Sequence, residues 1–116
     1  MKETIAQSPA AVDFISCEQR DDNEVSVLLS GNLSIAEASP LRAQLQEVLS
    51  QKKNVTLDGG SVERIDTAAL QVLWAFGREV LDGHKSIKWT AASDSLLQAA
   101  ALLGLADTMG LAARFD

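Results

Sequence analysis

The segment from Asn54 to Thr90 limits the possible folds more than any other part of the chain. It opens with a β-branched run, Asn54-Val55-Thr56-Leu57-Asp58, and meets a turn signal at Gly59-Gly60. A strongly apolar helix pattern then starts at Asp66-Thr67 and runs to Leu81, with Asp82-Gly83 as its C-terminal stop. Ser86-Ile87-Lys88-Trp89-Thr90 reads as the next strand. Strand, helix and strand in this order predict a βαβ unit with parallel strands and a right-handed crossover. The chain is therefore read as α/β. A hydroxyl, Thr67, stands at the strand-to-helix junction.

The flanking segments complete one domain. A length of 116 residues fits a single domain, with residues 1–11 read as a loose tail and 12–116 as the domain. Strands at Val12 to Cys17 and Glu24 to Ser30, separated by the polar run Glu18 to Asn23, suggest an N-terminal hairpin. A helix follows, with Leu41, Leu45, Val48 and Leu49 lining one face up to about Ser50. It has two candidate caps. Ser34 and Glu37 have capping-box spacing, whereas Ser39 precedes Pro40 and would place the proline at the first helical position. Ser39 is preferred, because a proline further inside forfeits a backbone hydrogen bond. A third helix starts at Ser93 or Asp94, carries Leu96, Leu97, Ala100 and Leu103, and ends at Gly104. Leu105 to Phe115 reads as a short helical turn and an apolar tail.

Composition narrows the function. Apolar residues make up 47% of the chain but aromatics only 4%, so the core must be mostly Leu, Val, Ile and Ala. The net charge is −6, and Lys52-Lys53 is the nearest thing to a basic cluster. Both count against nucleic acid and against an anionic membrane surface. Cys17 is the single cysteine, so no internal disulfide is possible and a reducing, cytoplasmic setting fits. The start of the chain lacks the apolar core of a signal peptide, and no apolar run approaches the roughly 20 residues of a membrane span. His84 lies in a predicted turn with no assignable nucleophile or partner. Phosphate-loop, dinucleotide, zinc-protease and nucleophile-elbow patterns do not occur. No catalytic residue, metal ligand or cofactor site is expected.

Interest concentrates on the helix from Thr67. At about 100° per residue its apolar positions 69, 70, 72, 73, 76, 77, 80 and 81 sweep an arc of about 180°. Along one flank lie Thr67, Gln71, Trp74 and Arg78: a hydroxyl, an amide, a large aromatic and a cation in a row. Trp and Arg are favoured interface anchors. Trp74 packing at the core rim, with solvated neighbours, is the plainer alternative. Thr67 or Asp66 can cap the helix. A hydroxyl here is also well placed for phosphate, because free N–H groups and the helix dipole favour a dianion.

Three motifs resemble those of the STAS family, the sulfate-transporter and anti-sigma-factor-antagonist domains. They are Ser30-Gly31-Asn32-Leu33-Ser34, Ile65-Asp66-Thr67-Ala68-Ala69-Leu70 and Leu102-Leu103-Gly104-Leu105. The resemblance covers residues 12 to 112. It implies a mixed four- to five-stranded sheet with helices on one side, no catalysis, and a protein partner. In the phosphoswitch members an anti-sigma factor that is also a serine kinase phosphorylates the hydroxyl after the motif Asp, here Thr67. The implied partner surface is Ser34, Asp66, Thr67, Ala68, Gln71, Trp74 and Arg78. Ser34 stands where the family usually has an acid, and Ala68 replaces a common second hydroxyl. Ala69 replaces the usual glycine and is expected to add a methyl to the surface a kinase approaches. A second branch of the family, the STAS subunit of phospholipid-transport ABC systems, binds the transporter ATPase through the same end without phosphate.

Overall fold

The computed structural model describes residues 14–111, and the predicted tail at 1–11 lies outside them. The elements are β1 (Ile15–Asp21), β2 (Glu24–Leu33), α1 (Ile35–Ser50), β3 (Asn54–Ile65), α2 (Thr67–Asp82), β4 (Ile87–Ala92), α3 (Asp94–Leu102) and α4 (Ala106–Met109). The strands form one mixed sheet in the order β1-β2-β3-β4. β1 is antiparallel to β2, and β2, β3 and β4 are mutually parallel. The chain thus contains the expected βαβ unit across α2 and a second one across α1.

One sheet face carries the core. Val25, Val27 and Leu29 of β2, Val55 and Leu57 of β3 and Trp89 of β4 are buried there. They meet Leu41, Leu45 and Val48 of α1, Leu70, Leu73, Phe76 and Val80 of α2, and Leu96 and Ala100 of α3. The opposite face presents Ser26, Leu28, Thr56, Lys88 and Thr90 by strand alternation. Thr56 is buried among them and its hydroxyl shares a 2.8 Å hydrogen bond with Ser26. Helices on a single face follow from two crossovers of the same hand.

Several boundaries differ from expectation. β1 runs on through Glu18 to Asp21, which were read as a separator. An edge strand needs only backbone pairing, so its polar side chains can all face water. The turn narrows to Asp22-Asn23, where the Asn23 N–H donates to Asp21 Oδ1 at 2.7 Å. Val12 and Asp13 of the predicted strand lie outside the described residues.

Gly59-Gly60 does not end β3. The strand passes a bulge there, between the pairs Leu28↔Asp58 and Ser30↔Ser61, and stays paired with β2 as far as Leu33↔Ile65. The glycine has a packing reason. A Cβ on Gly59 would lie 2.6 Å from Leu96 Cδ2 and 2.9 Å from Trp89 Cζ3.

α1 starts at Ile35 with Ser34 as its cap, not Ser39, and Pro40 lies inside the helix. The capping box is complete: Ser34 Oγ accepts from Ala36 N–H, and the Glu37 carboxylate accepts from Ser34 N–H at 2.9 Å. β2 delivers the chain to Ser34 already in position, which outweighs the bond forfeited at Pro40.

α2 ends as expected, but the left-handed residue is His84, at φ 65°, one place after Gly83. Lys85 N–H bonds Val80 O and His84 N–H bonds Leu81 O, a Schellman pattern. Leu81, assigned to the buried arc, is 55% exposed. Ser93 caps α3, its Oγ accepting from Leu96 N–H at 3.2 Å.

Candidate functional site

The parallel strands β2 and β3 finish side by side at Leu33↔Ile65, so the two following helices start side by side as well. Asp66 N–H bonds Leu33 O at 2.9 Å, and Leu70 N–H bonds Asp66 O at 3.0 Å. Asp66 is the N-cap residue of α2, but its carboxylate makes no bond within that helix. Asp66 Oδ2 instead accepts from Ile35 N–H at 3.0 Å, the first helical N–H of α1. One carboxylate therefore ties the starts of both helices together, and a negative charge suits that position.

Thr67 is the first residue of α2 and is exposed. The cap is Asp66, so the Thr67 hydroxyl is not used in capping. It stands at a helix start with free N–H groups around it. Ser34 is partly buried and serves as the α1 cap. Its bonds, and first among them the one from its hydroxyl, hold the Glu37 carboxyl below its usual 4.5. Ala68 is partly buried. Ala69 is fully buried, which corrects the expectation that its methyl lies on an approach surface. At this helical position the extra methyl points into the core.

The predicted stripe divides. Gln71 and Arg78 are exposed and follow Thr67 along the outer ridge of α2. Ala68 and Gln71 border a groove of about 480 Å³ between α1 and α2, floored by Val72, Ala75 and Phe76 and edged by Arg42 and Glu79. Trp74 is half-buried and turns to the other side of α2. There it lines a cavity of about 320 Å³ shared with Leu57, Trp89 and Met109. The Arg78 guanidinium carbon lies 5.4 Å from the Trp74 ring centroid, a cation–π contact.

Two features escaped the sequence reading. Ile35 is 72% exposed beside Asp66 and Thr67, an apolar side chain at the working end. The Ser34-x-x-Glu37 spacing was the signal that could have found it. The cavity at Trp74 had no local signal, because α4 supplies Thr108 and Met109 to its wall from far along the chain.

Other candidates contribute little to this end. Cys17 is exposed on edge strand β1, and the desolvation its sulfur still feels pushes the thiol up, away from the reactive thiolate. His84 closes the α2 turn at the far end of the helix. Among the described residues no group of three His, Cys, Asp or Glu side chains is placed to hold a metal ion. No described helix is long and apolar enough to cross a membrane.

Known proteins were compared with this geometry. A crystal structure of a putative anti-sigma factor antagonist from Thermotoga maritima is 18% identical, with 80% of each chain covered and a TM-score of 0.69. An anti-sigma factor antagonist from Mycobacterium paratuberculosis is 20% identical, with 89% of this chain and 86% of that chain covered and a TM-score of 0.68. The Bacillus cell fate determinant SpoIIAA in its phosphorylated form is 14% identical, with 80% and 86% covered and a TM-score of 0.62. A structure of Mglu also matches, at 19% identity and a TM-score of 0.56, over 64% of this chain but only 18% of that much longer one. At such identities the likeness speaks to the fold. A comparison with curated proteins gives no match. The family model described as "Mlab, STAS domain" matches residues 16–112, which takes in the whole sheet and all four helices. On that match the chain belongs to the STAS domain family.

Proposed function

We propose that this protein is a non-catalytic regulatory module that binds a protein partner through the paired starts of α1 and α2. The docking end comprises Ser34, Asp66, Thr67 and Ala68 and extends down the α2 ridge through Gln71 towards Arg78, with Trp74 on the flank. The observation that carries this reading is the Asp66–Ile35 hydrogen bond. It fixes two helix starts as one surface and leaves the Thr67 hydroxyl exposed in the middle. In this reading the partner is an anti-sigma factor with serine-kinase activity, and Thr67 is the phosphoacceptor. A phosphate there adds about −1.5 to −2 charges at pH 7. It would stand beside the Asp66 carboxylate and repel an acidic partner surface or block apolar docking at Ile35.

A second reading is favoured by the description of the matching family model, which names Mlab. In it the same end binds the ATPase subunit of a phospholipid-transport ABC system, and Thr67 acts as a contact without modification. One pair of measurements separates the two. Intact-mass spectrometry after incubation with the host's serine kinase and ATP is expected to show one phosphate on the native chain and none on Thr67→Ala. Absence of phosphate, together with co-purification of an ABC ATPase that Thr67→Asp abolishes, would replace the first reading with the second. Neither phosphate nor a bound protein would overturn both.

A further inference from the structure

The cavity beside Trp74 is separate from the docking end and has its own chemistry. It lies between α2, the β3–β4 face and α4, with a volume of about 320 Å³. That is the lower end of the range of small-molecule sites, about 300–1,000 Å³. Its walls are mainly apolar, from Leu57, Leu73, Trp89 and Met109.

Two polar features stand out against those walls. The Trp74 indole N–H is buried and has no hydrogen-bond partner. Buried donors are nearly always paired, so an orphan of this kind calls for an explanation. The Arg78 guanidinium, which also lines the cavity, engages the Trp74 ring face but no carboxylate. Asp82 lies one turn further along the same wall without pairing with it. A donor lacking an acceptor and a cation lacking a counter-charge thus sit on one side chain pair.

We infer that this cavity binds a small amphipathic carboxylate, a single ring or short acyl chain with one negative end. The apolar body lies between Trp89, Leu57 and Met109. The carboxylate accepts from Trp74 Nε1 and from Arg78, matching both unmet groups at once. Nε1 is closed to water, so the acceptor reaches it as the exposed Arg78 side chain swings from its place over the ring. Asp82 at the same wall opposes further negative charge, which selects a monocarboxylate over a polyanion such as a nucleotide. This inference does not rest on the partner reading, and its test uses the chain alone.

Trp74 and Trp89 are the only tryptophans of the chain, and both line the cavity. Intrinsic fluorescence of the full chain therefore reports directly on occupancy. Titration with sodium octanoate is expected to give a saturable emission change, with octan-1-ol and octylamine each binding about tenfold more weakly or worse. Arg78→Gln, a change at an exposed side chain, is expected to weaken octanoate about tenfold, and Trp74→Phe, which leaves Trp89 as reporter, by a similar factor. The inference is overturned if octanoate gives no saturable change, if octylamine binds as well as octanoate, or if octanoate binding survives both substitutions unaltered.

Discussion

At Gly59 a missing methyl lets α3 close on the sheet. The space a Cβ would need is taken by the buried side chains of Leu96 and Trp89. Gly59→Ala must push one of them from its place, and overpacking of this kind costs about 1–3 kcal/mol. Urea denaturation should show a lower midpoint with an unchanged slope; an unaltered midpoint would mean that α3 yields without cost. The same residue shows where reading a sequence stops. Glycine pairs punctuate chains, so Gly59-Gly60 was read as a turn. Its actual role depends on Trp89 and Leu96, partners far along the chain that no local pattern names. Thr67 was legible for the opposite reason: a strand-to-helix junction is written in neighbouring residues. The Ala69 methyl was misplaced because its direction depends on where the helix starts relative to the core, which the sequence gives only to within a residue or two.

Among the elements, α1 carries the clearest lesson. Local rules set the cost of an internal proline against the attraction of a cap at Ser39, and both pointed to the wrong start. The long pairing of β2 with β3 and the Asp66–Ile35 bond decide the matter, and both are tertiary. The βαβ unit across α2 needed no such help, since strand, helix and strand follow one another with their own periodicities. The capping box at α1 also has a pH signature. Hydrogen bonds from the Ser34 hydroxyl and backbone lower the Glu37 pKa from 4.5 in the folded chain. Its contribution to stability is therefore complete above 4.5 and is lost as pH falls through the lower folded value. Glu37→Gln keeps the acceptor oxygen but cannot titrate. Urea midpoints taken from pH 7 down to pH 3 should fall less steeply for the variant than for the native chain. Parallel acid profiles would show that Glu37 is not linked to folding.

For the molecule as a whole, the arrangement separates support from display. The sheet buries one face under all the helices that reach it, and the other face stays polar and open. The parallel strands deliver α1 and α2 to the same end, so the elements that build the core also set out the docking surface. The fold class and the hydroxyl at its junction were legible, because they follow from periodicity and order. The division of the α2 stripe was not, since it depends on α4 folding back beside Trp74. The claim that partners dock at the Asp66–Thr67 end and along the α2 ridge can be tested without knowing the partner. A photo-crosslinking amino acid placed at Gln71, and separately at the exposed Lys88 on the open sheet face, can be irradiated in the native host. The account predicts one discrete adduct to a single protein from Gln71 and none from Lys88. An adduct from Lys88 with none from Gln71 would contradict it.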